Sequence, residues 1–313
     1  MPLSVDEQSV SPPLRHGVTP LARQSESPPM IVSLSDIHGY LAEAKSALQT
    51  LTDHQGYDPI VTQDDDGRLH WAGNNYDLVF NGDLIDRGPE NEGVLALVGR
   101  LIEEAPPGRV RVTLGNHEAI ILSSKHFGFE QWFAGQVTTS DRLAFFEAIT
   151  DGHVIAAYEG YNYIYAHAGA SEPYEADSVN KTLVDAVNVL HEAVGTPDDA
   201  TTQRAVLDTH DRVLGVGNHH IKGPGAGLVW LDFRHLREDA QPQIVGHTRH
   251  DEPQQKGNVF CQNILRNNLN TPGGEGVFVE TPSSLSAVIR DEATETIELS
   301  LAMPADDRQR EET

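Results

Sequence analysis

Six side chains with metal-binding chemistry are spread along the chain, and together they could hold two cations. They are Asp36, His38, Asp83, Asn116, His167 and His247. Carboxylate, imidazole and amide donors form a mixed set that suits Mn²⁺, Fe or Zn²⁺ better than Ca²⁺. One short loop could aim Asp36 and His38 at a first cation, which Asp83 could bridge to a second. Two adjacent cations can hold a hydroxide and neutralise phosphate oxygens during in-line attack. The set therefore predicts hydrolysis of a phosphate ester.

Three neighbouring residues fit the remaining tasks of such a reaction. His117 directly follows Asn116 and could protonate a leaving alkoxide. Asp86, three residues beyond Asp83, could fix the tautomer of that imidazole and raise its pKa. Arg87 offers a planar fork for two phosphate oxygens, which a lysine could not reproduce. We expect these residues to act as the acid, its partner and a phosphate-binding group.

The chemistry-bearing residues follow a rule of position, because each group comes directly after a predicted strand. The predicted strands are Met30–Leu34, Tyr76–Phe80, Val110–Leu114, Tyr161–Tyr165 and Gln243–Val245. In α/β sheets, ligands bind where loops converge beyond the carboxyl ends of the strands. Taken singly, Asp36 could be a helix N-cap and His167 a buried core histidine. The repetition of the pattern favours one common site.

Helices and further strands account for the rest of the chain. Apolar spacing predicts helices beginning near Leu41 and spanning Glu92–Glu104. Asp58–Asn75 is predicted to be a hairpin or an irregular insertion, and residues 178–220 a helical cap or lid. We expect four late strands to close a second sheet: Asn258–Gln262, Gly276–Glu280, Ser286–Arg290 and Thr296–Leu301. The predicted catalytic domain spans residues 30–302, between disordered tails at 1–29 and 303–313.

The charge balance is strongly acidic, with 47 Asp and Glu against 22 Lys and Arg and a net charge of −25. Such a field repels nucleic acid and anionic lipid, and it argues against a nucleic-acid-binding protein. A carboxylate-rich surface with five lysines is typical of proteins from a cytoplasm of high salt, so we expect a halophilic source and a cytoplasmic location. No apolar run is long enough to span a membrane. The single Cys261 excludes an intrachain disulfide and a thiolate metal cage.

Five motifs carry a resemblance to a known family. They are Asp36-Ile-His38-Gly39, Gly82-Asp83-Leu-Ile-Asp86-Arg87-Gly88, Gly115-Asn116-His117-Glu118, His167-Ala-Gly169 and Gly246-His247-Thr248. Their order resembles the signature of calcineurin-like metallophosphoesterases. The Asp-Arg-Gly run is similar to the phosphoprotein phosphatase (PPP) branch, and in particular to its prokaryotic serine/threonine phosphatases.

The resemblance implies a fold, a cofactor and residue roles. The implied fold is a four-layer α/β/β/α sandwich with two mixed sheets. The implied cofactor is a pair of divalent cations, most often Mn²⁺, with hydrolysis that proceeds without a phosphoenzyme. By analogy, Asp36, His38 and Asp83 hold one cation, and Asp83, Asn116, His167 and His247 hold the other. His117 would be the acid paired with Asp86, while Arg87 and Asn116 would contact the substrate phosphate.

The sequence also departs from eukaryotic members of that family. It has Gly246-His247-Thr248 where they have Arg-Ala-His-Gln, and His167-Ala168-Gly169 where they have His-Gly-Gly. Their second phosphate-binding arginine has no clear motif here, and Arg234 is the candidate we consider for it. His219, His220 and Trp132 are expected to lie outside the chemistry, the histidines facing water and the tryptophan packing.

Three functions remain open on this evidence. The first is a phosphomonoesterase that acts on phosphoserine or phosphothreonine in a protein, or on a small phosphorylated compound. The second is a symmetrical dinucleoside polyphosphate hydrolase, for example of diadenosine tetraphosphate. The third is a catalytically silent metal-binding scaffold. The first is favoured here, and the oligomeric state is left open.

Overall fold

Two mixed β-sheets, stacked face to face, organise the described part of the chain. The computed structural model describes residues 16–18, 22, 25–291 and 295–301. Within these ranges the larger sheet has seven strands in the order β14-β13-β12-β1-β4-β5-β6. Its strands are β1 (Met30–Leu34), β4 (Tyr76–Phe80), β5 (Val110–Thr113), β6 (Val154–Ile155), β12 (Gly276–Glu280), β13 (Leu285–Arg290) and β14 (Thr296–Leu301). Strands β1, β4, β5 and β6 run parallel to one another, whereas β12 pairs antiparallel with β1, and β12, β13 and β14 pair antiparallel in turn.

The smaller sheet has five strands in the described residues, in the order β10-β11-β9-β8-β7. They are β7 (Tyr158–Glu159), β8 (Ile164–Tyr165), β9 (Gln243–Val245), β10 (Gln254–Lys256) and β11 (Val259–Cys261). A separate hairpin pairs β2 (Val61–Gln63) with β3 (Leu69–Trp71), which confirms the hairpin predicted within residues 58–75.

The prediction that four late strands close a second sheet is wrong for three of them. Only β11 belongs to the smaller sheet, whereas β12, β13 and β14 extend the larger one. Strand β12 pairs antiparallel with β1, with Val279 opposite Val32. Every residue of β12 is buried, because Val277 and Val279 face one apolar core and Phe278 faces another. A strand that is apolar on both faces fits the interior of a sheet that is covered on both sides.

Helices cover the outer face of the larger sheet. In the described residues they are α1 (Leu41–Asp53), α2 (Asn91–Glu104), α3 (Asn116–Leu122), α4 (Ser124–Phe127), α5 (Thr139–Thr150), α6 (Ala176–Ala193), α7 (Asp199–Thr209) and α8 (Asp211–Leu214). Leu48 of α1 and Leu97 of α2 are buried against sheet residues such as Val32 and Leu78. Both predicted helices are therefore confirmed, and their apolar stripes face the sheet.

The remaining layers confirm the four-layer sandwich. Between the sheets, Ile31 and Val79 pack with Tyr165 and Phe260. The outer face of the smaller sheet is covered by residues 231–240, which include a short 3₁₀ helix at Phe233–His235. This last layer is thin, because one irregular segment with Leu231, Phe233 and Leu236 provides the cover.

The segment predicted as a helical cap or lid is helical. Helix α6 packs against α5 and α7. The side chain of Asn180 in α6 accepts hydrogen bonds from the backbone N–H groups of Ala156 and Ala157, which fixes the helix beside the end of β6. The role of this segment as a lid stays a prediction.

Much of the predicted tails lies outside the described residues, including all of 303–313. Within residues 1–29, Gly17 forms a bridge with Glu159, and Val18 is buried. Among the helices that the structure describes, none combines the length and apolar character that crossing a bilayer requires.

Candidate metal centre

The loops that follow five strands converge at one end of the two sheets. Asp36 and His38 follow β1, Asp83 follows β4, and Asn116 begins α3 just after β5. His167 follows β8, and His247 follows β9. All six side chains are buried, each in a residue with at most 5% exposure. The structure thus brings together the six predicted ligands, which are up to 211 residues apart along the chain.

One carboxylate oxygen of Asp83 lies between histidines from the two sheets. Its Oδ2 is 3.4 Å from Nε2 of His38 and 3.4 Å from Nε2 of His167. Its other oxygen, Oδ1, accepts the backbone N–H of His117 at 3.0 Å. This hydrogen bond fixes the carboxylate and leaves Oδ2 for the two imidazoles. Such a position is the one required of an oxygen that bridges two cations.

The hydrogen bonds of the histidines indicate which nitrogen faces the centre. Nδ1 of His38 lies 3.0 Å from the carbonyl oxygen of Ile85, and Nδ1 of His167 lies 3.0 Å from that of Asn81. Because a carbonyl can only accept, each Nδ1 carries a proton, and Nε2 is the nitrogen that each ring turns toward Asp83. Metal-binding histidines are usually held by this kind of outer hydrogen bond.

A fourfold cluster of electron-pair donors forms the second half of the centre. Nε2 of His167 has Nδ1 of His247 at 3.1 Å and Oδ1 of Asn116 at 3.3 Å, besides Oδ2 of Asp83. Nε2 of His247 is buried and has no hydrogen-bond partner among the described residues. Four atoms that can each donate an electron pair to a metal therefore lie close together, and this donor set fits a bound cation.

Asp36 occupies the first half of the centre. Both of its oxygens accept the backbone N–H of His247, at 2.9 and 3.1 Å, and its Oδ1 is 3.8 Å from Nε2 of His38. Two groups of side chains place their ligand atoms within 4.8 Å of one another: His38, Asp83 and His117, and Asp83, His167 and His247. The two groups share Asp83, and each could hold a metal ion.

Burial and mutual charge shift the pKa values of these groups strongly. Burial raises the pKa of Asp36 to about 6 and lowers that of His38 to about 3. Burial alone would raise the pKa of Asp83, but the charges of His167, His117 and His38 outweigh burial and hold this pKa well below its usual range. Burial alone would lower the pKa of His167, but the neighbouring Asp83 carboxylate outweighs burial and raises this pKa to about 9. Ionisable groups desolvated this closely are costly without further charge compensation, which divalent cations would supply.

The predicted acid and its partner are in direct contact. Nδ1 of His117 lies 2.5 Å from Oδ2 of Asp86, and Oδ1 of Asp86 accepts the backbone N–H of Ala134 at 3.1 Å. Trp132 stacks on the ring of His117, with centroids 4.7 Å apart and an interplanar angle of 22°. The guanidinium of Arg87 lies 4.2 Å from the centre of the Trp132 ring. Trp132 packs as predicted, but its packing partners are His117 and Arg87 of the predicted site.

Glu118 is a functional residue whose role the sequence prediction missed. Its Oε2 accepts the backbone N–H groups of Asp83 and Gly115, and its Oε1 accepts that of Leu84. It therefore ties the loop after β4 to the start of α3. A glutamate at the third position of a helix that bonds back to the N-cap is a recognised pattern, and the Gly-Asn-His-Glu run contained that signal.

Other predicted residues lie away from the centre. The guanidinium of Arg234 forms two hydrogen bonds with Asp232, at 2.9 and 3.0 Å, and its side chain is 75% exposed. Arg234 does not line the cavity at the centre, so the structure does not bring this candidate to a phosphate. His219 and His220 are exposed, as predicted.

A cavity of about 470 Å³ opens over the centre. Besides His38, Asp83, His117 and His247, it is lined by Arg87, Lys222, Arg249 and Arg266. The last three cations were not predicted from the sequence, because nothing in their local pattern marks them. None of residues 178–220, all of which the structure describes, lines this cavity.

A family model described as calcineurin-like phosphoesterase matches residues 30–278. The chain belongs to this family. Its members are metal-dependent phosphoesterases, and the two groups that share Asp83 agree with that dependence. The resemblance noted in the motifs is thereby confirmed for the family.

Solved structures show the same fold at low sequence identity. A cold-active protein tyrosine phosphatase aligns with a TM-score of 0.60 and 17% identity over 87% of this chain and 78% of that one. The cold-active protein-tyrosine phosphatase of a psychrophilic Shewanella species aligns with a TM-score of 0.59 and 17% identity, over 88% and 80% of the two chains. A protein serine/threonine phosphatase from Saccharomyces cerevisiae reaches a TM-score of 0.42 at 17% identity over 91% and 82% of the chains, which is too weak to support a shared fold.

Proposed function

We propose that this chain is a PPP-type phosphatase that hydrolyses phosphomonoesters at a dinuclear centre, within one catalytic domain at residues 30–302. The observation that carries the proposal is the position of Asp83 Oδ2, 3.4 Å from an imidazole nitrogen of each half of the centre. The Asp-Arg-Gly run at residues 86–88 supports the PPP branch. The cations are proposed to be Mn²⁺, with Fe or Zn²⁺ as alternatives.

The chain's own residues divide the work of holding the cations. Asp36, His38 and Asp83 would hold the first, and Asp83, Asn116, His167 and His247 the second. When bound, such a pair supplies Lewis acidity that activates water and neutralises phosphate oxygens.

The cavity residues would then position the substrate and move the proton. Arg87 would bind two oxygens of the phosphate through its planar guanidinium, and Asn116 would contact a third. His117 would deliver a proton to the leaving alkoxide from Nε2, because Asp86 holds its Nδ1. Trp132 would keep the ring of His117 and the guanidinium of Arg87 in place by stacking on both.

The substrate is proposed to be a phosphoserine or phosphothreonine protein or a small phosphorylated compound. The two cold-active enzymes that share this fold are named protein tyrosine phosphatases, so phosphotyrosine belongs among the substrates tested. A dinucleoside polyphosphate is the alternative substrate. A silent scaffold is disfavoured, since it has no need of an acid clamped by Asp86 beside a guanidinium.

Two measurements on purified protein test the proposal. With Mn²⁺, it should release p-nitrophenol from p-nitrophenyl phosphate, and a chelator should abolish the release. Asp83→Asn should lower the content of both metals by elemental analysis, whereas His117→Ala should cut turnover at unchanged metal content. Two full metal equivalents in folded Asp83→Asn would exclude the bridging role, and chelator-resistant turnover would exclude the metal mechanism.

A further inference from the structure

The cavity over the metal centre contains more positive charge than one phosphate monoester needs. Arg87, Lys222, Arg249 and Arg266 all line it. None of the four has a carboxylate oxygen of the described residues within 4 Å. In a chain with a net charge of −25, a concentration of unpaired cations in one cavity calls for an anionic ligand.

The four cations are arranged from the centre outward. Arg87 lies at the inner end, because its guanidinium and the ring of His117 both stack on Trp132. Burial lowers the pKa of Lys222, although the nearby charges of Asp83, Asp36 and Asp232 act in the opposite direction. Arg249 and Asn267 also line a neighbouring cavity of about 560 Å³, which none of the six proposed ligands borders. Arg249 therefore marks the outer end.

Arg266 lines the cavity over the centre, and the next residue, Asn267, lines both cavities together with Arg249. Partial burial lowers the pKa of Arg266, and the charges of Arg249 and Arg87 lower it further. An arginine stays protonated under such conditions, so Arg87, Arg266 and Arg249 present three positive charges to the same cavity.

The lining of the cavity restricts the chemistry of the ligand. All of its lining residues are polar or charged, and among the described residues the only rings that line it are the imidazoles of His38, His117 and His247 at the metal centre. Asp232 is the one lining carboxylate outside the metal centre, and its two hydrogen bonds with Arg234 neutralise it. The cavity is therefore suited to phosphate groups and not to a nucleobase, which would need an apolar or stacking surface.

We propose that Arg249 and Arg266 form a second anion-binding subsite, so that the preferred substrate is a small molecule with a further phosphate beyond the one at the metals. This inference rests on the proposed phosphatase function. The first phosphate would lie against Arg87 and the metal centre, and the second against Arg266 and Arg249. The second phosphate could be a separate ester or the next group of a condensed chain, because both present the same oxygens to a guanidinium.

Matched substrate pairs test the subsite in the metal-loaded protein. Fructose 6-phosphate with fructose 1,6-bisphosphate represents the separate ester, and methyl phosphate with methyl diphosphate represents the condensed chain. In the unaltered protein, kcat/KM should favour the member with the additional phosphate in at least one pair by about tenfold or more. Arg249→Gln/Arg266→Gln should remove most of that preference, whereas Arg237→Gln, which changes an exposed arginine paired with Asp239, should retain it.

The outcomes separate this inference from the function on which it rests. If the protein does not hydrolyse p-nitrophenyl phosphate, that result counts against the proposed phosphatase activity alone. The preference for the additional phosphate can still be measured, by calorimetric binding of the same pairs to His117→Ala. Equal kcat/KM and equal affinity within both pairs would overturn the subsite, as would an equal loss for both members in the double variant. An effect of the double variant only on phosphopeptides with acidic flanking residues would assign the arginines to a protein substrate instead and also overturn it.

Discussion

Backbone strain is concentrated in the residues of the proposed site. Six of them have left-handed φ angles: Asp36 (+55°), His38 (+49°), Asp83 (+56°), Asp86 (+69°), Arg87 (+74°) and His247 (+63°). A non-glycine residue in this region costs about 1–2 kcal/mol, and the cost persists only where the surroundings fix the conformation. The loops therefore hold these side chains in place at the expense of stability.

Arg87 allows this cost to be measured, because its side chain is exposed. The free energy of unfolding should be about 1 kcal/mol higher for Arg87→Gly than for Arg87→Ala, since glycine adopts a positive φ without a clash. Both variants should lose about 10- to 100-fold in kcat/KM for p-nitrophenyl phosphate, because both lack the phosphate fork.

Denaturant unfolding and steady-state kinetics on the two variants check this prediction. Equal stability of the glycine and alanine variants would show that the positive φ at residue 87 is not strained. Unchanged kinetics in both would remove Arg87 from the phosphate site.

At the scale of elements, the loop after β4 and helix α3 are joined by the side chain of Glu118. This one carboxylate accepts three backbone N–H groups, which belong to Asp83, Leu84 and Gly115. Because Asp83 and Asn116 lie in these two segments, the glutamate sets the distance between two proposed ligands.

Glu118→Gln should therefore weaken metal binding without touching a ligand. The amide NH₂ would face a backbone N–H that now bonds to a carboxylate oxygen, so the two segments would move apart. We expect Mn²⁺ affinity to fall about 10- to 100-fold, as is usual when a residue that supports metal ligands is changed. Isothermal titration with Mn²⁺ measures this, and unchanged affinity would contradict the structural role.

The two sheets are joined by a buried carboxyl group. Glu280 at the end of β12 accepts the hydroxyl of Tyr165 in β8 at 2.8 Å and the backbone N–H of Asn162. Burial raises the pKa of Glu280 from its usual 4.5 to about 7. Tyr165 and Tyr163 face it, and burial raises their pKa values too, so both remain protonated across this range.

This shift predicts a dependence of stability on pH. Between pH 4.5 and about 7, the folded state keeps a proton on Glu280 that the unfolded chain loses. The contribution of Glu280 to the free energy of unfolding should therefore fall as the pH rises through this window, by up to about 3 kcal/mol.

Glu280→Gln isolates that contribution, because it cannot ionise. Relative to the unaltered protein, Glu280→Gln should gain free energy of unfolding as the pH rises from about 5 to about 7. Asp36 and Glu118, whose pKa values are also raised by burial, titrate in both proteins and cancel. A difference that stays constant with pH would show that Glu280 is ionised throughout.

At the scale of the whole molecule, the net charge of −25 acts against the compact state through self-repulsion. Salt shortens the range of that repulsion, with a screening length of about 10 Å at 0.1 M and about 3 Å at 1 M. We expect the thermal midpoint of unfolding to rise over this range of KCl, as the prediction of a halophilic source requires. A flat or falling midpoint would count against that source. The cytoplasmic location stays a prediction.

Local patterns in the sequence were sufficient for the elements and residue types at the site. Strands β1, β4, β9, β12 and β14 have the predicted bounds, and helices α1 and α2 follow the predicted apolar spacing. These features depend on alternation and helical periodicity within a few residues, which the chain carries wherever it folds. The positions of Asp36, His38, Asp83, Asn116, His167 and His247 after strands likewise follow from local order alone.

Long-range packing decided what the local pattern could not. Strand β12 could have joined either sheet by its sequence, and its pairing with β1 placed β12 to β14 in the larger one. Arg249 and Arg266 line the cavity because distant segments pack there, whereas Arg234 pairs locally with Asp232, two residues before it. The surroundings of a long charged side chain depend on which distant segments pack beside it. The sequence by itself therefore determined the types and local positions of the proposed metal ligands, and only the tertiary structure decided which cationic side chains line the cavity beside them.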